Sequence, residues 1–300
     1  MVFRYSLILS LFIFGACTSV PPAQEELALP HVLGHRGSGS GCRVMGQDSI
    51  CENSYPAVIM GLDHYQGVEV DIQMSADGTL WMYHDALMID QDSNQLCIPQ
   101  SGDFEIRQMA SRVRAYKYLA PLDTIFDYHR KYGLLQSISL DVKGYFSEAC
   151  FPGQNADQKY LLGLADSLVQ LIHRYEMTPF VMVETDYQDV LDRIRSRSDS
   201  IPCYLLAYGH WEKAKQIIQE KGYQGLSYSF SDPELTPEKV EAVRKAGWKV
   251  QIWTPNGREA LYQAWSLQPD YIQTDDSKAV RWIQQWNDSL YSLRTPKTPS

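Results

Sequence analysis

The chain has 300 residues, a formal net charge of −9 and 44% hydrophobic residues. Its 19 Tyr and 7 Trp, with only 21% charged residues, exclude a disordered chain and allow one large domain or two small ones. The acidic balance argues against nucleic acid or an anionic membrane surface as a general partner, so an anionic substrate would need a local cationic site.

Arg4 precedes an apolar run from Leu7 to Phe14, followed by Gly15-Ala16-Cys17. The run is too short to span a bilayer and has the charged start and small-residue end of an export signal. Small residues directly before a cysteine resemble the lipobox of bacterial lipoproteins. That resemblance implies cleavage before Cys17, lipidation of Cys17 and a lipid anchor to the bacterial cell envelope, on the outer membrane. An ordinary signal peptide cut near Ala16 is the alternative. Residues 1–16 are then the signal peptide, 17–30 a tether and 31–295 the folded domain.

Beyond the tether, short apolar runs predict strands at 31–34, 68–72, 80–83, 137–142, 180–184, 203–207, 225–228, 250–253 and 271–273. Amphipathic patterns between them predict helices, among them 53–64, 156–176, 211–222, 236–246 and 258–266. The fourth of these has a Thr236 cap, Pro237 in the first turn, Glu238 behind it and Gly247 at the close. Strand–helix alternation over about 250 residues predicts an eight-stranded (βα)8 TIM barrel. No dinucleotide-binding glycine fingerprint follows the first strand to favour an open sheet.

Nine runs are one too many. The link Ser75-Ala76-Asp77-Gly78-Thr79 is far shorter than the dozen or so residues a parallel crossover needs. The run at 80–84 is therefore expected to return antiparallel to 68–72, as a hairpin arm that brings His84 back beside Glu69 and Asp71. A small rim insertion over about 86–120 is expected to follow.

In such barrels chemistry sits at the C-terminal ends of the strands. The first strand ends in His35-Arg36. Along 67–72, Glu69 and Asp71 share a face, because strand side chains repeat with period two, and they sit about 6–7 Å apart. The hairpin ends in His84-Asp85, and "SISLDVKG" contributes Asp141 and Lys143. "IWTPN" offers Trp253 and Asn256, and "QTDD" closes the last strand. Glu69, Asp71 and Asp141 can converge from adjacent strands, and a hard divalent cation, Ca²⁺ or Mg²⁺, would relieve their repulsion. Two histidines suit general acid and base roles, and Arg36 and Lys143 suit a phosphate. Trp253 reads equally as a wall of the site or as core. Gly37, Gly39 and Gly41 read as a flexible loop.

"LGHRGSGSG", "CENSYPAVIMGLD", "GVEVDIQMSADGTLWMYHD", "LDVK", "IWTPN" and "YIQTDD", in this order, resemble the glycerophosphodiester phosphodiesterase family, whose barrel is shared with phosphatidylinositol-specific phospholipases C. The resemblance runs from His31 to about Asp276. It implies hydrolysis of small-molecule glycerophosphodiesters, an acid/base pair His35 and His84, and metal ligands Glu69, Asp71 and Asp141. It also implies phosphate contacts from Arg36 and Lys143, with Glu52 and Asn53 of the "EN" motif beside the substrate. The family commonly carries Glu-x-Lys where this chain has Asp141-Val142-Lys143. A metal-free phosphoinositide-cleaving phospholipase C and a non-catalytic phosphodiester-binding lipoprotein are the other readings.

An exported chain meets oxidising conditions. Cys42, Cys51, Cys97 and Cys150 lie in polar, turn-rich stretches and Cys203 in an apolar run, which predicts two bridges and one buried thiol. The pairing Cys42–Cys51 with Cys97–Cys150 would fix the loop over the site and staple the 86–120 excursion. Cys42–Cys97 with Cys51–Cys150 remains open.

Overall fold

The computed structural model describes residues 29–45, 48–144, 150–151 and 154–294. The expected signal peptide, Cys17 and the tether up to residue 28 lie outside the described residues. Eight parallel strands close into a barrel: β1 His31–Gly34, β2 Gly67–Met74, β3 Ser137–Val142, β4 Val181–Thr185, β5 Cys203–Ala207, β6 Gly225–Ser229, β7 Lys249–Trp253 and β8 Tyr271–Thr274. Each strand pairs with its neighbours in chain order, and β1 pairs with both β8 and β2 to close the ring.

The helices cover the outside. α1 (Tyr55–His64) begins two residues later than the sequence predicts, because Asn53 adopts φ 56° and Ser54 takes the cap, accepting from the Ala57 amide. α2 (Asp103–Arg112) belongs to the rim insertion, and α3 (Leu122–Tyr132) follows it. α4 (Gln154–Arg174), α5 (Gln188–Arg197), α6 (Trp211–Lys221), α7 (Pro237–Lys245), α8 (Arg258–Ser266) and α9 (Ala279–Arg294) complete the layer. None of the described helices is long and apolar enough to cross a membrane. Outward-facing Val68, Val70 and Ile72 pack with Ile138, Leu140 and Val142 against the helices in the main core.

β2 runs two residues beyond the predicted 72, because Gln73 and Met74 pair with the return arm Leu80–Met82 in an antiparallel ladder. The Tyr83 amide donates to the Asp71 carbonyl at 3.0 Å, so the arm re-enters the mouth as its length requires. The insertion behind it has its own small core of Trp81, Tyr83, Met88, Ile98, Ile106 and Met109.

Cys42–Met45 and Asp48–Cys51 pair as the two antiparallel arms of a hairpin, where the sequence predicts a loop. Cys42 and Cys51 are joined by a disulfide, Cys97 and Cys150 by a second, and Cys203 is a buried free thiol. Nor is Gly37 there for flexibility. It has φ 89°, and a Cβ there would lie 2.8 Å from the backbone of Ala57, so it lets the loop press on α1.

Inside the barrel the strands alternate in register and build layers. Leu33, Met182 and Tyr204 form an apolar plug, with Tyr271 against it. Beyond this plug come buried Ser139, Glu184, Ser227, Gln251 and Gln273, from β3, β4, β6, β7 and β8. Glu69, Asp71 and Asp141 lie at the mouth beside them, all buried.

Candidate active site

Glu69 and Asp71 are each 1% exposed, and Asp71 stands directly opposite Asp141 in the β2–β3 register. A carboxylate oxygen from each of Glu69, Asp71 and Asp141 lies within 4.8 Å of the others. Asn53 clamps Asp71: its amide donates to Oδ2 at 2.6 Å and its carbonyl accepts from the Asp71 backbone at 3.0 Å. The left-handed backbone of Asn53 aims the side chain there, a conformation Asn tolerates better than most residues.

Two fixed cations meet this cluster. Lys143 Nζ sits 2.5 Å from Asp141 Oδ2 and 3.2 Å from Asp71 Oδ1. Arg36 donates to Glu52 at 2.6 Å, approaches Asp71 at 3.5 Å and gives its backbone N–H to Glu69 at 2.8 Å. Arg36 and Lys143 thus face Glu52, Glu69, Asp71 and Asp141, and negative charge is in excess.

The two histidines come from opposite arms of the mouth. His35 donates or accepts through Nδ1 at 2.8 Å from Asp275 Oδ1, with Nε2 3.9 Å from Glu69. His84 makes the equivalent Nδ1 contact with Asp85 Oδ1 at 2.8 Å. A cavity of about 180 Å³ collects His35, Arg36, Glu69, His84, Asp141 and Lys143, with Tyr208 and Trp253 on its far wall. The Trp253 and Tyr208 rings meet edge to face at 5.7 Å, which places Trp253 at the wall rather than in the core.

The carboxylates respond differently to this setting. Burial, then the charges of Asp71 and Asp141, hold the Glu69 carboxyl well above the ordinary range. Burial also pushes Asp141 up, to about 7, against the pull of Lys143. At Asp71 burial is outweighed by Lys143, His84, Arg36 and the Asn53 bond, and its pKa falls. Glu69 Oε1 is buried with no hydrogen-bond partner. An orphaned carboxylate oxygen inside a cluster of three buried carboxylates fits a hard divalent cation with oxygen ligands, and no histidine pair in the cluster favours zinc.

Three residues escaped the sequence reading. Asp275 lies in "QTDD" without an assigned role, yet it also accepts from Ser40 and from Asn256 Nδ2 at 2.7 Å. Glu184, opposite Asp141 in register, is fully buried and accepts from Ser139, Ser227, Gln251 and Gln273. An acid closing an apolar strand, as at Asp71, was the available signal. Gln73 donates to the Tyr83 and Asp85 carbonyls, at 3.0 and 2.8 Å, and so fixes the turn that carries His84.

No protein-family model matches this sequence, and no curated protein matches it either. Solved structures do. A glycerophosphodiester phosphodiesterase from Parabacteroides distasonis is 17% identical, covering 87% of this chain and 98% of its own, with TM-score 0.68. A phosphodiesterase from Oleispira antarctica, in complex with the product sn-glycerol-3-phosphate, is 17% identical over 85% of this chain and 97% of its own, with TM-score 0.67. One from Thermotoga maritima is 18% identical over 84% and 97%, with TM-score 0.63. At these identities the likeness establishes the shared fold.

Proposed function

We propose that this chain is a metal-dependent glycerophosphodiester phosphodiesterase that hydrolyses glycerophosphodiesters to an alcohol and glycerol 3-phosphate. The carrying observation is the pair His35 and His84, each held through Nδ1 by its own aspartate, facing one cavity that is also lined by Glu69, Asp141, Arg36 and Lys143. The Oleispira antarctica structure, with glycerol 3-phosphate as product, supports the substrate class.

Glu69, Asp71 and Asp141 would hold the divalent ion, Ca²⁺ or Mg²⁺. When bound it supplies positive charge that polarises a phosphoryl oxygen. Arg36 and Lys143 bring fixed donors to the same phosphate. One histidine takes the proton of the attacking hydroxyl as its oxygen bonds to phosphorus: attack by water gives glycerol 3-phosphate directly, and attack by the substrate's own glycerol hydroxyl gives a cyclic phosphate that water then opens. The other delivers a proton to the departing alcohol oxygen as the P–O bond breaks. Asp275 and Asp85 keep the imidazoles turned to the cavity. Lys143 neutralises Asp71 and Asp141 in part, which holds the cluster together before the ion arrives. The export signal and Cys17 support a lipid-anchored protein of the bacterial cell envelope.

The test is hydrolysis of glycerophosphocholine with and without EDTA, followed by Ca²⁺ or Mg²⁺ addition. Loss in EDTA and recovery with the ion are expected. Cleavage that persists in excess EDTA would replace this reading by the metal-free phospholipase C class.

A further inference from the structure

Glu184 is 1% exposed, and it lines the cavity of about 180 Å³ together with Glu69, Asp141 and Lys143. Its hydrogen-bond partners among the described residues are all neutral. Ser139 Oγ and Gln273 Nε2 donate to Oε1, and Ser227 Oγ and Gln251 Nε2 donate to Oε2. Gln251 also gives Nε2 to Ser227 Oγ at 3.1 Å, which turns the Ser227 proton toward the carboxylate. Four donors around two oxygens suit the ionised form. Burial raises the Glu184 pKa, and the Ser227, Ser139 and Gln273 bonds pull it back.

A buried carboxylate with no cation against it is costly, because neutral donors spread the charge without cancelling it. The two fixed cations of the mouth contact Glu52, Asp71 and Asp141 instead. Yet Glu184 is close to the carboxylate cluster. It stands opposite Asp141 in the β3–β4 register, and neighbouring strands lie about 4.8 Å apart. Two of its donors, Ser139 and Gln251, precede Asp141 and Trp253 by two residues on the same strands, so the polar layer sits directly beneath the mouth. The open side of this layer is the cavity, and a counter-charge for Glu184 can enter from there.

We propose that Glu184 is a positioning residue for the divalent ion, a fourth buried acid one layer beneath Glu69, Asp71 and Asp141 whose charge strengthens the ion's binding without ligating it. The assignment rests on the metal-dependent reading above. It goes beyond that reading by giving a residue outside the ligand set a share in the affinity. In a site shielded from water, a carboxylate one layer away still acts strongly on a doubly charged ion. The four donors keep that carboxylate at a fixed height and prevent it from turning up to displace a ligand.

Calorimetric titration of the full chain with Ca²⁺ and with Mg²⁺ reads Kd apart from activity. Glu184→Gln keeps the shape and removes the charge, and should weaken Kd about tenfold or more. Glu184→Asp keeps the charge and should stay within about threefold of wild type. Ser227→Ala removes one donor and leaves the charge, so its Tm should fall while Kd holds. That variant decides the matter even where Glu184→Gln fails to fold. Wild-type Kd in a folded Glu184→Gln, equal weakening in Glu184→Asp and Glu184→Gln, or a Kd that weakens in step with Tm in Ser227→Ala overturns the role and leaves metal dependence standing. A wild-type chain that binds neither ion overturns both.

Discussion

His35 Nδ1 and Asp275 Oδ1 lie 2.8 Å apart across 240 residues of sequence, joining the end of the first barrel strand to the end of the last. Burial raises the Asp275 pKa, but the hydrogen bond and charge of His35, and then the Ser40 bonds, outweigh it and hold it well below the usual carboxylate range. An aspartate that stays ionised fixes the imidazole's orientation. His35→Ala should cost about 10²–10⁴ in kcat, and Asp275→Asn about 10². If Asp275 acts through His35, the double variant should be no worse than His35→Ala alone. Multiplying losses, or an unchanged kcat in Asp275→Asn, would contradict that role.

The carboxylate cluster makes stability depend on pH and metal with a definite sign. Burial and neighbouring acids raise Glu69, and burial foremost raises Asp141 to about 7. Acids whose folded pKa is raised keep protons that the unfolded chain releases near pH 4. Their contribution is complete below that value and is lost as pH rises toward 7. Asp71, lowered, acts oppositely and only at more acid pH. In EDTA the Tm should therefore fall from about pH 5 to about pH 7. Added Ca²⁺ or Mg²⁺ should restore it, most at the upper end, because the ion displaces protons. Thermal scans at several pH values check this, and a Tm rising across that window without metal would count against it.

Replacing Glu69 by Gln removes one charge from the excess. Without metal, Glu69→Gln should match or exceed the wild-type Tm at pH 7, while the Ca²⁺- or Mg²⁺-induced shift shrinks and activity falls by about 10² or more. Asn53→Ala should have the reverse stability effect. It leaves the buried Asp71 without its 2.6 Å donor, at a cost of about 1–3 kcal/mol. A wild-type metal response in Glu69→Gln would remove that residue from the ligand set.

Period-two alternation made Glu69 and Asp71 legible, because a strand covered by helices has one face to spend on charge. The antiparallel arm was legible from a five-residue link, too short for a crossover. What stayed hidden depends on register across the closed ring. The bond between His35 and Asp275 and the four donors around Glu184 join strands 45 to 240 residues apart, and local pattern does not set that register. The hairpin at 42–51 was read as a loop because each arm is four residues long and half polar, a weak signal before the disulfide defines it.

Glu184 gives a prediction for stability. Its two oxygens satisfy Ser139, Ser227, Gln251 and Gln273 in the barrel interior. Glu184→Ala strands all four donors and should destabilise by about 3 kcal/mol or more, measured by urea unfolding. A loss under about 1 kcal/mol would mean that the donors find other partners.

The two disulfides should separate stability from function. Cys97–Cys150 closes 53 residues and packs with Phe151, whereas Cys42–Cys51 closes nine at the edge of the candidate site. Loop-closure entropy gives upper values of about 4 kcal/mol for the first and about 2.7 for the second. The hairpin is already paired by its backbone ladder, so much of its order survives without the bridge. Cys97→Ser/Cys150→Ser should therefore lower Tm by more than Cys42→Ser/Cys51→Ser does. The hairpin pair should instead raise KM, because Cys42, Cys51 and Glu52 line a cavity beside His84 and Glu52 positions Arg36. Equal Tm losses with unchanged KM in the Cys42→Ser/Cys51→Ser variant would show that the short bridge serves global stability alone.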